Sequence, residues 1–131
     1  MQSLSPQNPA APTGQAPRLA EIWEVDAAHE ENDRRDVIQI LAAAGFHQAR
    51  TSEFMTTIRS GFQVRTDRSR TRAGGPHYVT VQLMRRHYMP GQNALYTRMC
   101  RSWTAALTAR GEWEVSYDEE YPESGLTVTR R

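Results

Sequence analysis

The sequence contains no lysine: all sixteen of its basic residues are arginine. A P-loop needs a lysine behind its glycines, so nucleotide hydrolysis by that route is excluded, and Gly74-Gly75-Pro76 lacks the surrounding pattern in any case. Cysteine is almost as scarce. Cys100 stands alone, which rules out an internal disulfide and a cysteine-rich zinc site and suits a reducing compartment; the cytoplasm is the expected location. No run approaches the ~18 apolar residues of a membrane span, and Met1 to Pro17 lacks the basic-then-apolar order of a signal peptide, so no membrane partner is expected. His29, His47, His77 and His87 show neither i,i+4 spacing nor an HExxH motif, and no metal or cofactor is expected.

Paired catalytic carboxylates need opposed environments. Here the acids run together as Glu30-Glu31, Asp33 with Asp36, and Asp118-Glu119-Glu120, which read as solvated caps and turns. No catalytic set emerges, and a non-enzymatic protein is expected.

Lysine codons are A-rich and most arginine codons are rich in G and C, so the replacement of one by the other points to a GC-rich genome. With 131 residues, 38% apolar and 24% charged, the chain has apolar mass for one core. The net charge of +1 conceals a pattern. Residues 1–36 hold three arginines against seven acids, residues 37–111 eleven against two, and residues 112–131 two against six. A basic middle between acidic ends suits either a polyanion or mutual neutralisation across the fold.

Residues 1–17 carry four prolines and no charge, too little buried surface to offset ordering, and read as a flexible tail before one domain over 18–131. Arg18 to Asp26 fits a helical face through Leu19, Ile22 and Trp23, yet Ile22 to Val25 favours a short strand. Asn32 or Asp33 then caps a helix over 33–44, with Val37, Ile40, Leu41 and Ala44 at helical spacing and Gly45 as its stop. Phe46 to Arg50 reads as a strand, and Ser52 as the cap of a helical turn carrying Phe54, Met55 and Ile58. Phe62–Thr66 and His77–Met84 form a hairpin around the loop Asp67–Pro76, which bears Arg68, Arg70 and Arg72.

The strongest pattern is Leu95, Tyr96, Met99, Cys100, Trp103, Ala106 and Leu107, the broad apolar stripe of a helix over 93–110. Cys100 lies in that stripe, so a buried, inert thiol is expected. Gly111 ends the helix; Trp113, Val115 and Tyr117 alternate as a strand; Leu126 to Arg130 closes a hairpin as a sheet edge protected by Arg130-Arg131. The fold class is α+β: a mainly antiparallel sheet of four to six strands with two helices on one face.

ILAAAGFHQAR and ALTARGEWEV both run helix, glycine, aromatic, strand, and each precedes a further strand, FQVRT or LTVTR, as a βαββ pseudo-repeat would. On these residues, over roughly the last forty positions, the chain resembles small uncharacterised proteins of GC-rich actinobacteria and their phages or mobile elements. That resemblance implies a GC-rich host and brings no activity or site residue with it.

Two functions follow as expectations. The first is a small binding or adaptor protein acting through protein contacts, including self-association, with aromatic residues as anchors. The alternative is a nucleic-acid-binding module built on the arginine loop 67–76: Arg65, Arg68, Arg70 and Arg72 on the hairpin, Arg85 and Arg86 after it, Arg98 and Arg101 on the helix, with Tyr78 to stack. Against it, the pI near 8.0 falls short of the value above about 9 that marks most such domains.

Overall fold

The computed structural model describes residues 19–54, 56–66 and 77–131; the expected tail and the arginine loop 67–76 lie outside them. Helix α1 spans Leu19–Ala43, starting well before the expected cap at Asn32 or Asp33 and absorbing the strand expected at Ile22 to Val25. Local chemistry explains the difference. Between Leu19 and Ala43 there is no glycine or proline, and Ala20, Glu21, Glu24, Ala27, Ala28, Glu30 and Glu31 are good helix formers. Glu31 adds side-chain pairs to Arg34 at 3.1 Å and Arg35 at 3.6 Å, one helical turn on. Three apolar residues, Ile22, Trp23 and Val25, cannot outweigh that run.

After α1 come a two-stranded arm, β1 (Arg50–Thr51) and β2 (Thr57–Arg59), then β3 (Gly61–Thr66), β4 (Val79–Met84), α2 (Asn93–Thr108), β5 (Trp113–Ser116), a 3-10 turn (Pro122–Ser124) and β6 (Leu126–Arg130). The main sheet is antiparallel with order β3-β4-β6-β5, and the two helices sit on it, an α+β fold. Each helix leads towards a hairpin, so the unit that recurs is αββ; the strand expected to open a first βαββ unit is part of α1. Nor is β6 an edge. It pairs with β4 on one side and β5 on the other, which leaves β3 and β5 outermost.

Strand alternation sorts the sheet into two faces. Phe62 and Val64, Val79 and Val81, Leu126 and Val128, and Trp113 point at the helices and are buried, while Gln63, Arg65, Thr80, Gln82, Glu114 and Ser116 take the other face. From above, α1 contributes Val37 and Leu41, and α2 contributes Tyr96, Cys100, Trp103 and Leu107 on the predicted stripe. Each such fully buried aliphatic side chain is worth about 1.5–3 kcal/mol. The thiol of Cys100 also donates to the Pro122 carbonyl at 3.5 Å, tying α2 to the 3-10 turn. Gly45 and Gly111 both adopt positive φ, +97° and +75°, as their role as helix stops requires.

The strand expected over Phe46 to Arg50 shrinks to one parallel bridge, Gln48 to Phe62, because the chain leaves the sheet at Arg50 to build the arm. Gly61 makes that crossing possible: a Cβ there would stand 2.3 Å from the His47 carbonyl oxygen and 2.7 Å from the Ala49 nitrogen. Gly61→Ala therefore forces backbone apart. It should cost about 1–3 kcal/mol, as overpacking does, and raise amide exchange at Ala49, whose N–H bonds to the Phe62 carbonyl at 2.8 Å. Denaturant melts with hydrogen exchange check both.

Candidate functional site

The inward stripe of α1 changes character along its length. Asp26, Glu30, Asp33, Val37 and Leu41 follow at spacings of four, three, four and four, all on the side that faces the fold, and the three acids are 4%, 0% and 7% exposed. The reading of Glu30 and Asp33 as solvated residues is therefore corrected. For Asp26 and Asp33 the burial has a physical basis on the opposing strands. His77 precedes β4 with the inward parity of Val79 and Val81, and Arg130 ends β6 with that of Leu126 and Val128. A histidine and an arginine thus occupy inward positions where the apolar core ends, and they meet the acidic half of the helix.

Arg130 is the centre of this cluster. Its Nε donates to Asp33 Oδ1 at 2.9 Å, a terminal nitrogen donates to Asp36, and its guanidinium lies 4.3 Å from the centroid of the Trp113 ring. Burial disfavours the charge, but the hydrogen bonds and charges of Asp33 and Asp36 outweigh it, and the Arg130 pKa is raised. A planar fork that binds two carboxylates while its face rests on an indole is a task for arginine; a lysine ammonium can do only part of it. Beside it, the imidazoles of His29 and His77 approach edge to face with nitrogens 3.4 Å apart, and His77 Nε2 stands 3.7 Å from Asp26.

Of these groups, His29, Asp33, Asp36, His77 and Arg130 line an open cleft of about 700 Å³. The hydroxyl lining the cleft among the described residues, that of Thr129, donates to the His77 carbonyl at 2.6 Å. Among the described residues no cluster of His, Cys, Asp or Glu has metal-binding geometry. The cleft's charges are spent largely on one another, and the cluster acts as a clasp between α1 and β6.

A different surface is unspent. The arm β1–β2 belongs to neither helix layer nor main sheet. Where a helical turn was expected after Ser52, the chain turns back: the Ser52 Oγ accepts from the Phe54 and Thr56 N–H groups, both at 3.2 Å, and the Ser52 N–H donates to the Thr56 carbonyl at 2.8 Å. Serine closes a tight turn here instead of opening a helix. Phe54 is held at the apex and is 82% exposed, with Ile58 exposed behind it; Met55 lies outside the described residues. Near the arm's root is an apolar pocket of about 230 Å³ walled by Phe46, Phe62, Leu83, Met99 and Trp103, with Ser60 and Gly61 at its rim.

The arginines singled out from the sequence fall on several sides. Arg65 lies on the face of the sheet away from the helices and donates to Gln82 Oε1 at 3.1 Å; with half-buried Tyr78 it stands at the feet of the loop that carries Arg68, Arg70 and Arg72, outside the described residues. Arg85 and Arg86 follow β4 at its far end, about 17 Å away at the rise of an extended strand. There Arg85 donates to Gln92 Oε1 at 2.7 Å, at the start of α2. Arg98 and Arg101 are exposed on α2, across the sheet from Arg65.

No family model matches the chain, and neither the curated proteins nor the solved structures include a significantly similar one. The site is defined by its own geometry.

Two outcomes follow. Arg130→Ala leaves Asp33 buried beside a bare indole and should lower stability by about 2–3 kcal/mol, less than a fully buried pair because Arg130 is partly solvated; Arg130→Lys should restore under half. Thermal and urea melts measure both. Cys100 is 1% exposed, and burial pushes its thiol up to about 11 from an ordinary value of 9.0. With the folded value above the unfolded one, the thiol's contribution is whole below pH 9 and is lost as pH rises through 11. Ellman's reagent at pH 8 should therefore label Cys100 only after denaturant is added, and stability should fall between pH 9 and 11, less so in Cys100→Ala.

Proposed function

We propose that this chain is a non-enzymatic binding protein that works through protein contacts, with the β1–β2 arm as its grip. One observation carries the reading: the arm places Phe54 in water, 82% exposed, on a turn tied down by Ser52. A two-stranded hairpin is marginal alone, and this one sets Arg50 directly opposite Arg59, a like-charge pair that weakens it further. Large aromatic side chains are among the anchors that dominate protein interfaces. An arm this costly to hold out makes sense as a contact surface.

The cleft at Arg130 is a fold-stabilising cluster in this reading. Its carboxylates and arginine serve the fold, and its lining hydroxyl is already bonded. The nucleic-acid reading keeps the loop 67–76, with Arg65 and Tyr78 at its feet, as its site. It predicts oligonucleotide binding that weakens steeply with salt, and that measurement separates the two readings.

The direct test is affinity capture from host lysate with the wild type and with Phe54→Ala/Ile58→Ser, far-UV dichroism confirming that both are folded. The wild type should retain a protein partner, another copy of the chain included, that the double variant loses. Equal retention by both, or none by either, would overturn the proposal.

A further inference from the structure

We infer that the arm's partner is a second copy of this chain, bound by reciprocal exchange in which the Phe54 ring of each copy seats in the apolar pocket of the other. The inference rests on the protein-contact reading above and specifies it.

Knob and hole occur on one molecule. The pocket of about 230 Å³ is walled by two phenylalanines, a tryptophan, a methionine and a leucine, surfaces that suit the face and edge of an aromatic ring. The knob cannot turn back into its own hole while the arm is formed, because Arg59 donates to the Gln48 carbonyl at 3.0 Å and the paired strands hold Phe54 out at 82% exposure. Placement then favours a twofold. Ser60 and Gly61 directly follow β2 and line the pocket, so knob and hole share a root. Two copies related by a twofold axis near that root make both insertions at once, each strengthening the other.

Charge agrees. Glu53, beside Phe54, is the acid of the arm's turn, distal to Arg50 and Arg59 at its root, and exposed arginines stand around the pocket. Arg86 is exposed and its backbone N–H donates to Ser60 Oγ at 2.8 Å on the pocket rim; Arg98 is exposed and adjoins Met99 in the wall; His47 lines the mouth. Seating Phe54 brings its neighbouring carboxylate to this cationic rim, which steers the approach and sets its orientation.

Sedimentation velocity on the full chain, up to about 100 μM and so above the micromolar Kd of weak interfaces, tests the inference. A dimer is expected. Phe54→Ala should weaken it at least about tenfold, the loss typical of an aromatic anchor, with unchanged far-UV dichroism. Glu53→Arg should weaken it too, and Glu53→Arg combined with Arg86→Glu should recover part of the affinity, a rescue that misfolding could not produce. A monomer at every concentration, or a dimer indifferent to both substitutions, overturns the inference. If the chain stays monomeric yet captures a different protein through Phe54, exchange falls while the protein-contact reading stands; if capture fails as well, both fall.

Discussion

The architecture depends on one side chain being charged on one side and aromatic-facing on the other. Arg130 binds a buried carboxylate, Asp33, and a half-exposed one, Asp36, while its own guanidinium lies over a buried indole, Trp113. Without it, the buried Asp33 carboxylate would lose the guanidinium that answers it. With it, a helix whose inward stripe is half apolar and half acidic can lie along the whole length of the strands. The apolar core covers one end, and an ion-pair network extends it to the other.

What the sequence made legible follows from where each signal is stored. The stripe of α2, the hairpins β3–β4 and β5–β6, and the burial of Cys100, Trp103 and Trp113 are local periodicities, and they are read correctly within windows of a few residues. The clasp is not local. Asp26, Glu30 and Asp33 look solvated until the spacing of Val37 and Leu41 is carried backwards through them, which places all five on one face. Likewise Arg130 and His77 look like surface residues until strand parity is carried beyond the last valine. The signals were present; reading hydrophobic character alone discarded them. The arm was missed for another reason: Ser52 serves a helix cap and a tight turn equally well, and only the crossing at Gly61 decides between them.

In the proposed reading, stability and recognition are kept apart on this fold. The clasp binds α1 to β6 through groups that satisfy each other, so it has little to offer a partner. The arm has the opposite character, with few internal interactions and an anchor left in water. Phe54 and Ile58 are exposed, apart from the buried helix-facing side of the main sheet. The pocket near the arm's root is the point at which the two regions touch, since Phe62, Leu83 and Trp103 belong to both.

The acidic stripe also bears on how the chain is made. Asp33 and Arg130 are 97 residues apart, so α1 leaves the ribosome long before its counter-charge exists. At typical elongation rates of ~5–20 residues per second, that wait lasts several seconds or more. An apolar stripe of the same length would spend the interval exposed and prone to aggregation. A stripe of carboxylates stays hydrated and repels its neighbours, then gives up its water when β6 completes the sheet. The same residues that make the folded state depend on a distant arginine keep the unfinished chain from sticking.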